Sequence, residues 1–171
     1  MTTLYSHKIL FGLAIFAALI ITFSLVEFLI IKYSGTPVPA PIIPREITTF
    51  GKEGSPLTYV VLGDSTGVGQ GGDYEQGIAV STAQKLAEAH VVRFQNFAIS
   101  GGRMADVQLK QLPQAVALKP DVVLIAAGAN DVTHLTSLGS IHTNLSKTID
   151  ALKGANPGVK IILTGSPQMG S

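Results

Sequence analysis

The chain contains no cysteine, so disulfides and thiolate ligands are excluded from whatever it does. Charge is scarce too: Asp, Glu, Lys and Arg make up 13% of its 171 residues. The charges that are present balance. Residues 33–171 carry ten basic and ten acidic side chains, with no basic stripe, and nucleic acid is therefore not an expected partner.

Apolar length is what the sequence has in quantity. From Ile9 to Ile31 almost every residue is apolar, and Glu27 is the only formal charge. A helix of about 23 residues is roughly 34 Å long, enough to cross a bilayer core of about 30 Å with some tilt. A cleaved signal peptide would have a shorter apolar core followed closely by a small-x-small site. Pro39-Ala40 lies too far downstream to serve, so residues 9–31 are expected to be a retained transmembrane helix after a short tail, residues 1–8. A buried helix of a soluble domain would show a polar face, and this run has none. Glu27 falls near the end of the span, where its side chain can reach the interface. Lys8 precedes the span and Lys32 and Arg45 follow it, so charge leaves the orientation open. The plan of tail, single-pass anchor, stalk and domain places the globular part outside the cytoplasm. Closely spaced prolines from Pro37 to Pro44 favour extended polyproline II, and residues 32–56 are expected to form a Pro-rich linker.

From Leu57 the pattern alternates between strand and helix. Leu57–Leu62, Val91–Phe97, Asp121–Ala127 and Val159–Thr164 read as strands. Tyr74–His90, Met104–Leu118 and Ile141–Leu152 read as helices, with Pro113 kinking or breaking the second. The run Val122-Val123-Leu124-Ile125-Ala126 suits a strand buried on both faces. Such an order implies a parallel sheet covered by helices on both sides, a three-layer α/β/α sandwich. After Thr164 the sequence runs through Gly165-Ser166-Pro167 to Ser171 with neither a closing helix nor a further strand. The domain, residues 57–171, is therefore expected to be incomplete at its C-terminal end.

The first strand ends in Gly63-Asp64-Ser65-Thr66-Gly67, which puts one serine hydroxyl at the C-terminal mouth of a buried parallel strand. Ligands gather at that edge of an open α/β sheet. A nucleophilic serine needs a fixed exposed turn, a base, and donors aimed at the developing oxyanion. Ser65 meets the first need. Gly101, after the second strand, can offer a backbone N–H at close approach, and Asn130, after the third, can offer its side-chain amide.

These segments, Gly63-Asp64-Ser65, Asn96-Phe97-Ala98-Ile99-Ser100-Gly101 and Gly128-Ala129-Asn130-Asp131, resemble the first three sequence blocks of the SGNH (GDSL-type) hydrolases, in order and in strand context. The resemblance covers roughly residues 57–171 and implies an SGNH, flavodoxin-like sandwich. It also implies a nucleophile at Ser65 and an oxyanion hole built from the Ser65 N–H, the Gly101 N–H and the Asn130 side chain. The implied substrates are acyl esters of lipids, lysophospholipids or acylated glycans, with no metal or cofactor. The family's last block, an Asp-x-x-His that carries the general base, does not follow the fourth strand here. His134 is the one substitute base to consider, and without a base the 171-residue chain is expected to be inactive or very weak. Asp64 and Asp131 are expected to support the loops rather than to take a proton. Arg103 is expected to be a solvated loop arginine, the alternative being contact with an anionic substrate.

Three other readings compete. Gly63-Asp64-Ser65-Thr66-Gly67 also satisfies the Gly-x-Ser-x-Gly elbow of α/β-hydrolases, but little sheet precedes it. Gly67-Val68-Gly69-Gln70-Gly71-Gly72 satisfies a dinucleotide-binding pattern, but no acid ends the second strand to hold a ribose. The last is a membrane-tethered binding domain with a disabled site.

Overall fold

A computed structural model of the chain describes residues 2–34 and 40–164. The prolines of residues 35–39, expected in the linker, and the loop expected over residues 165–171 lie outside the described residues. The chain divides into two units, residues 1–37 and 38–171.

The first unit is one helix, α1 (Thr2–Ser34). Its segment Phe11–Ile30 is long and apolar enough to cross a membrane, and every side chain in that segment is exposed. The hydroxyl of Thr22 returns to the Ala18 carbonyl at 2.8 Å, which satisfies it without water.

The second unit is a mostly parallel sheet of five strands in the order β1-β3-β2-β4-β5: β1 (Thr48–Phe50), β2 (Ser55–Gly63), β3 (His90–Asn96), β4 (Val122–Ala126) and β5 (Lys160–Thr164). Four strands run parallel, and β1 pairs antiparallel with β3, Thr48 opposite Phe94. The four parallel strands match the alternation read from the sequence. The strand β1 does not: it falls inside the stretch expected to be linker. Three residues at a sheet edge give too short a period for pattern reading.

Strand periodicity splits the core in two. On one face Tyr59, Val61, Val92, Phe94 and Leu124 pack under α2 (Ser65–Val68) and α3 (Ile78–Leu86). On the other, Val60, Leu62, Val123 and Ile125 pack against a helical run from Met104 to Ala117 and against α7 (Leu138–Ala155). That run comprises α4 (Met104–Asp106), a π-helical turn (Val107–Gln111) and α5 (Leu112–Ala117). Pro113 falls just after the wide turn. It lacks an N–H to donate backward, and the π turn accommodates the missing bond. A short α6 (Ala129–Thr133) follows β4. The helix expected over Tyr74–His90 is a 3₁₀ turn (Tyr74–Gln76) and then α3, and His90 opens β3, where its Nδ1 meets the Ser55 hydroxyl at 2.9 Å.

Tyr59 stacks on Phe94 with ring centroids 5.3 Å apart, and Phe50 meets Phe94 edge-on at 5.8 Å. The Tyr59 hydroxyl is fully buried with no hydrogen-bond partner of good geometry. Burial pushes its phenol far above the ordinary value, an effect the nearby Thr82 hydroxyl only partly offsets, and burial also raises Tyr74 beside it. A phenol raised in the folded state contributes its stability in full below about pH 10 and loses it as pH rises from there. In Tyr59→Phe, urea denaturation at neutral pH should show stability unchanged or raised by up to about 1 kcal/mol, because no bond is lost. The fall in stability above about pH 10 should be shallower than in the parent, with Tyr74 supplying what slope is left. A neutral-pH loss above about 1 kcal/mol would show that the hydroxyl is bonded after all.

Candidate active site

Strand β2 delivers Ser65 through a turn whose Gly63 and Asp64 backbone groups are bonded across the fold. Gly63 has a φ of +149°, and a side chain there would collide with the Ala126 carbonyl of β4. Its N–H donates to Gln111 Oε1 at 2.7 Å, and its carbonyl accepts from Gln111 Nε2 at 2.8 Å and from the Ile99 N–H at 3.0 Å. Asp64 is buried. Its N–H bonds the Ala126 carbonyl at 2.8 Å, and its Oδ1 accepts from the Thr66 N–H at 2.9 Å, capping α2. That carboxylate orders the turn, as its residue type suggests. Ser65 is thus the first residue of α2, and its own N–H is one of those a helix leaves without an internal partner.

The loop after β3 is tied to this turn. Asn96 donates from Nδ2 to the Gly67 carbonyl at 2.8 Å and accepts from the Ala98 N–H at 3.0 Å, and the Ser100 hydroxyl meets Gln70 Oε1 at 2.8 Å. Gly101 is exposed, with φ at +77°. The loop after β4 joins in turn: Asn130 Nδ2 donates to the Gly102 carbonyl at 3.0 Å. An amide nitrogen carries two hydrogens, so one remains for a ligand. Loops bearing Ser65, Gly101 and Asn130 are therefore laced together at the C-terminal edge of the sheet. A cavity of about 460 Å³ opens beside Ser65, lined by Thr66, Gly69, Gln70, Asp73 and Gln76 among others.

Asp131 and His134 stand three apart, the spacing of an Asp-x-x-His block, yet they form no pair. Asp131 is buried, and its Oδ2 accepts from the Met104 N–H at 2.8 Å, fastening the loop to the start of α4. His134 is exposed at the end of α6, its Nδ1 at 2.8 Å from the Asn130 carbonyl and 3.3 Å from the Thr133 hydroxyl. Among the described residues no hydrogen bond joins His134 to Ser65 or to Asp131. Arg103 caps α4: its N–H donates to Asp106 Oδ2 at 3.0 Å. The Lys110 ammonium, 2.7 Å from Asp106, and that N–H hold the Asp106 carboxyl below its ordinary value.

Sequence reasoning assigned no role to Gln111 or Asn96. Both are buried and bind backbone on the loop that carries Ser65. A glutamine inside an amphipathic helix gives no sign of the strand end it will reach. Among the described residues no cluster of His, Cys, Asp or Glu could hold a metal.

The sequence model of the GDSL-like Lipase/Acylhydrolase family matches residues 61–171. None of the curated proteins matches the chain. Among solved structures, the crystal structure of TesA matches at 32% identity with a TM-score of 0.57, over 64% of this chain and 60% of that one. A mutant of the esterase AlinE4 matches in fold at 23% identity with a TM-score of 0.56, over 70% of this chain and 66% of that one. The chain thus spans less than two thirds of the length of either structure.

Replacing Gln111 by Ala would leave the Gly63 N–H buried without a partner. The expected loss is about 2–4 kcal/mol in urea denaturation, against less than about 0.5 kcal/mol for Lys110→Ala on the exposed side of the same turn. Equal effects for the two variants would remove Gln111 from its anchoring role.

Proposed function

The chain belongs to the GDSL-like lipase/acylhydrolase family, and we propose that it is a serine hydrolase of acyl esters with Ser65 as nucleophile. The observation that carries this reading is the lacing of three loops, at the ends of β2, β3 and β4, around one serine at a helix start.

In this reading Ser65 Oγ bonds to the acyl carbon while the carbonyl electron pair moves onto oxygen. The Ser65 N–H, the Gly101 N–H and the free hydrogen of the Asn130 amide receive that oxyanion. The serine proton passes to a base and then to the departing alkoxide. Water next attacks the acyl-serine, releasing the acid and restoring the hydroxyl. Asp64, Asn96 and Gln111 act by positioning, since their polar atoms are committed to backbone. Substrates are small acyl esters, and lipid, lysophospholipid and acylated-glycan esters are the candidates. The helix α1 tethers the domain as a single-pass anchor, with the globular part outside the cytoplasm.

One observation favours a second reading, a domain that binds acyl ligands without turnover. His134, the histidine nearest in sequence to the site, spends Nδ1 on the Asn130 carbonyl rather than on a carboxylate.

Labelling of the protein with a fluorophosphonate separates the two. Label that is present and lost in Ser65→Ala supports the hydrolase, and label retained in Ser65→Ala removes Ser65 as nucleophile. Asn130→Ala should slow ester hydrolysis by about 10²–10³-fold, the usual cost of one oxyanion donor. Unchanged hydrolysis in His134→Gln would leave that residue as a helix cap alone. Saturable ligand binding without label would favour the binding domain.

A further inference from the structure

The cavity beside Ser65 has the size of a small-molecule site but not the usual lining. Its volume of about 460 Å³ falls in the range of such sites, roughly 300–1,000 Å³, and their walls are mostly apolar and aromatic. Here three glycines line it, Ile78 is the one large apolar side chain among the described lining residues, and the others are polar. The whole wall comes from one stretch of chain, residues 65–78, so its chemistry belongs to that stretch whatever faces it across the cavity.

The stretch is held in shape by its backbone. Gly69 ends α2 with a φ of +78°, and its N–H returns to the Thr66 carbonyl at 3.2 Å. The Gln76 N–H bonds the Asp73 carbonyl at 3.0 Å, the Gly77 N–H bonds the Tyr74 carbonyl at 3.1 Å, and the Ser81 hydroxyl fastens the Gln76 carbonyl at 3.2 Å. The side chains on the wall are not consumed in this way. Among the described residues, no hydrogen bond or ion pair engages the Thr66 hydroxyl, the Asp73 carboxylate or the Gln76 amide. Water satisfies these groups, and a ligand that enters must replace it bond for bond or leave them unmet.

We propose that this wall binds a neutral polyol, and that the ester cleaved at Ser65 joins an acyl group to a sugar oxygen. A carboxylate only accepts, an amide donates and accepts, and a hydroxyl does either, so a sugar with adjacent hydroxyls can meet all three groups. An alkyl chain offers no such bonds and would strip water from Asp73 without return. A lysophospholipid headgroup would bring phosphate beside Asp73, and no Lys, Arg or His is among the described lining residues to offset the repulsion. Of the three ester classes named above, the acylated glycan is the one that suits this wall. On cleavage the bond from acyl carbon to sugar oxygen breaks. The sugar oxygen takes up the proton that Ser65 gave to the base and leaves as a hydroxyl, and the acyl group stays on the serine until water removes it. The identity of the ester rests on the hydrolase reading above; binding of the sugar does not.

The test reads binding alone. The full chain carrying Ser65→Ala, which cannot turn an ester over, is placed in lipid nanodiscs and titrated with three acetates: 6-O-acetylglucose, ethyl acetate and 1-acetylglycerol 3-phosphate. Saturation-transfer NMR gives a Kd for each. The sugar ester should bind at least about 10-fold more tightly than the other two, the worth of one hydrogen bond to a charged group. Adding Asp73→Ala or Gln76→Ala should remove most of that preference. Adding Glu75→Ala, an exposed carboxylate on the same turn but outside the lining, should leave it within about twofold. Equal affinities for the three acetates overturn the proposal, as do a preference for ethyl acetate or the phosphate, and a sugar ester that does not saturate. A sugar preference that survives both Asp73→Ala and Gln76→Ala also overturns it. Fluorophosphonate labelling of the unsubstituted chain reports on Ser65 separately, so the sugar site can fail while the nucleophile stands, and the reverse.

Discussion

The contact on which this domain depends is the pairing of one buried glutamine with one glycine. Gly63 ends β2 so close to the Ala126 carbonyl that only hydrogen fits on its Cα. At such a strand end the ladder stops, and a buried peptide needs new partners or costs the full desolvation of its polar groups. Gln111 supplies both bonds at once, one donated and one accepted. The position of Gln111 depends in turn on the π-helical turn ahead of Pro113, which widens the helix where the amide must reach across the core. Ser65 is two residues further on, so the backbone that carries it is anchored by the helical run on the far side of the sheet.

The other buried polar side chains follow the same logic. Asp64, Asn96 and Asp131 are all nearly inaccessible: Asp64 and Asn96 each accept from an N–H two residues on in their own loops, Asn96 also donates to the Gly67 carbonyl, and Asp131 accepts from the Met104 N–H of another loop. Spent in this way, they lace the loops together, and the proposed reaction draws on other groups: the Ser65 hydroxyl, backbone N–H groups at glycine and helix start, and one hydrogen of Asn130. In that proposed reaction, donors fixed in advance would need no reorganisation as charge develops on the acyl group. Loops fixed so tightly can also carry features that cost stability, such as the positive φ of Leu135 and its exposed side chain.

Edge strand β1 adds a second consequence. It closes one edge of the sheet, setting Phe50 edge-on against Phe94, and it turns the preceding residues toward the end of β3 where the second loop begins. Ile43 to Arg45 therefore line a cleft with Phe97, Ala98 and Ile99 beyond the end of β3.

Much of this was legible in the sequence, for reasons local to the chain. Short apolar runs located the four parallel strands to within two residues, most plainly β4, which is buried on both faces and accordingly reads Val-Val-Leu-Ile-Ala. Glycine after such a run marked the turn at Ser65, and the blocks around Gly101 and Asn130 stood at strand ends for the same reason. What only the tertiary structure decided were partnerships across the fold. That Gln111 bonds Gly63, that Asp131 bonds Met104 rather than His134, that His90 opens a strand, and that Thr48–Phe50 closes an edge all depend on residues far away in sequence. A polar side chain has several possible partners, and which one it meets is settled by packing: apolar periodicity places each element, but the meeting of two elements leaves no local trace.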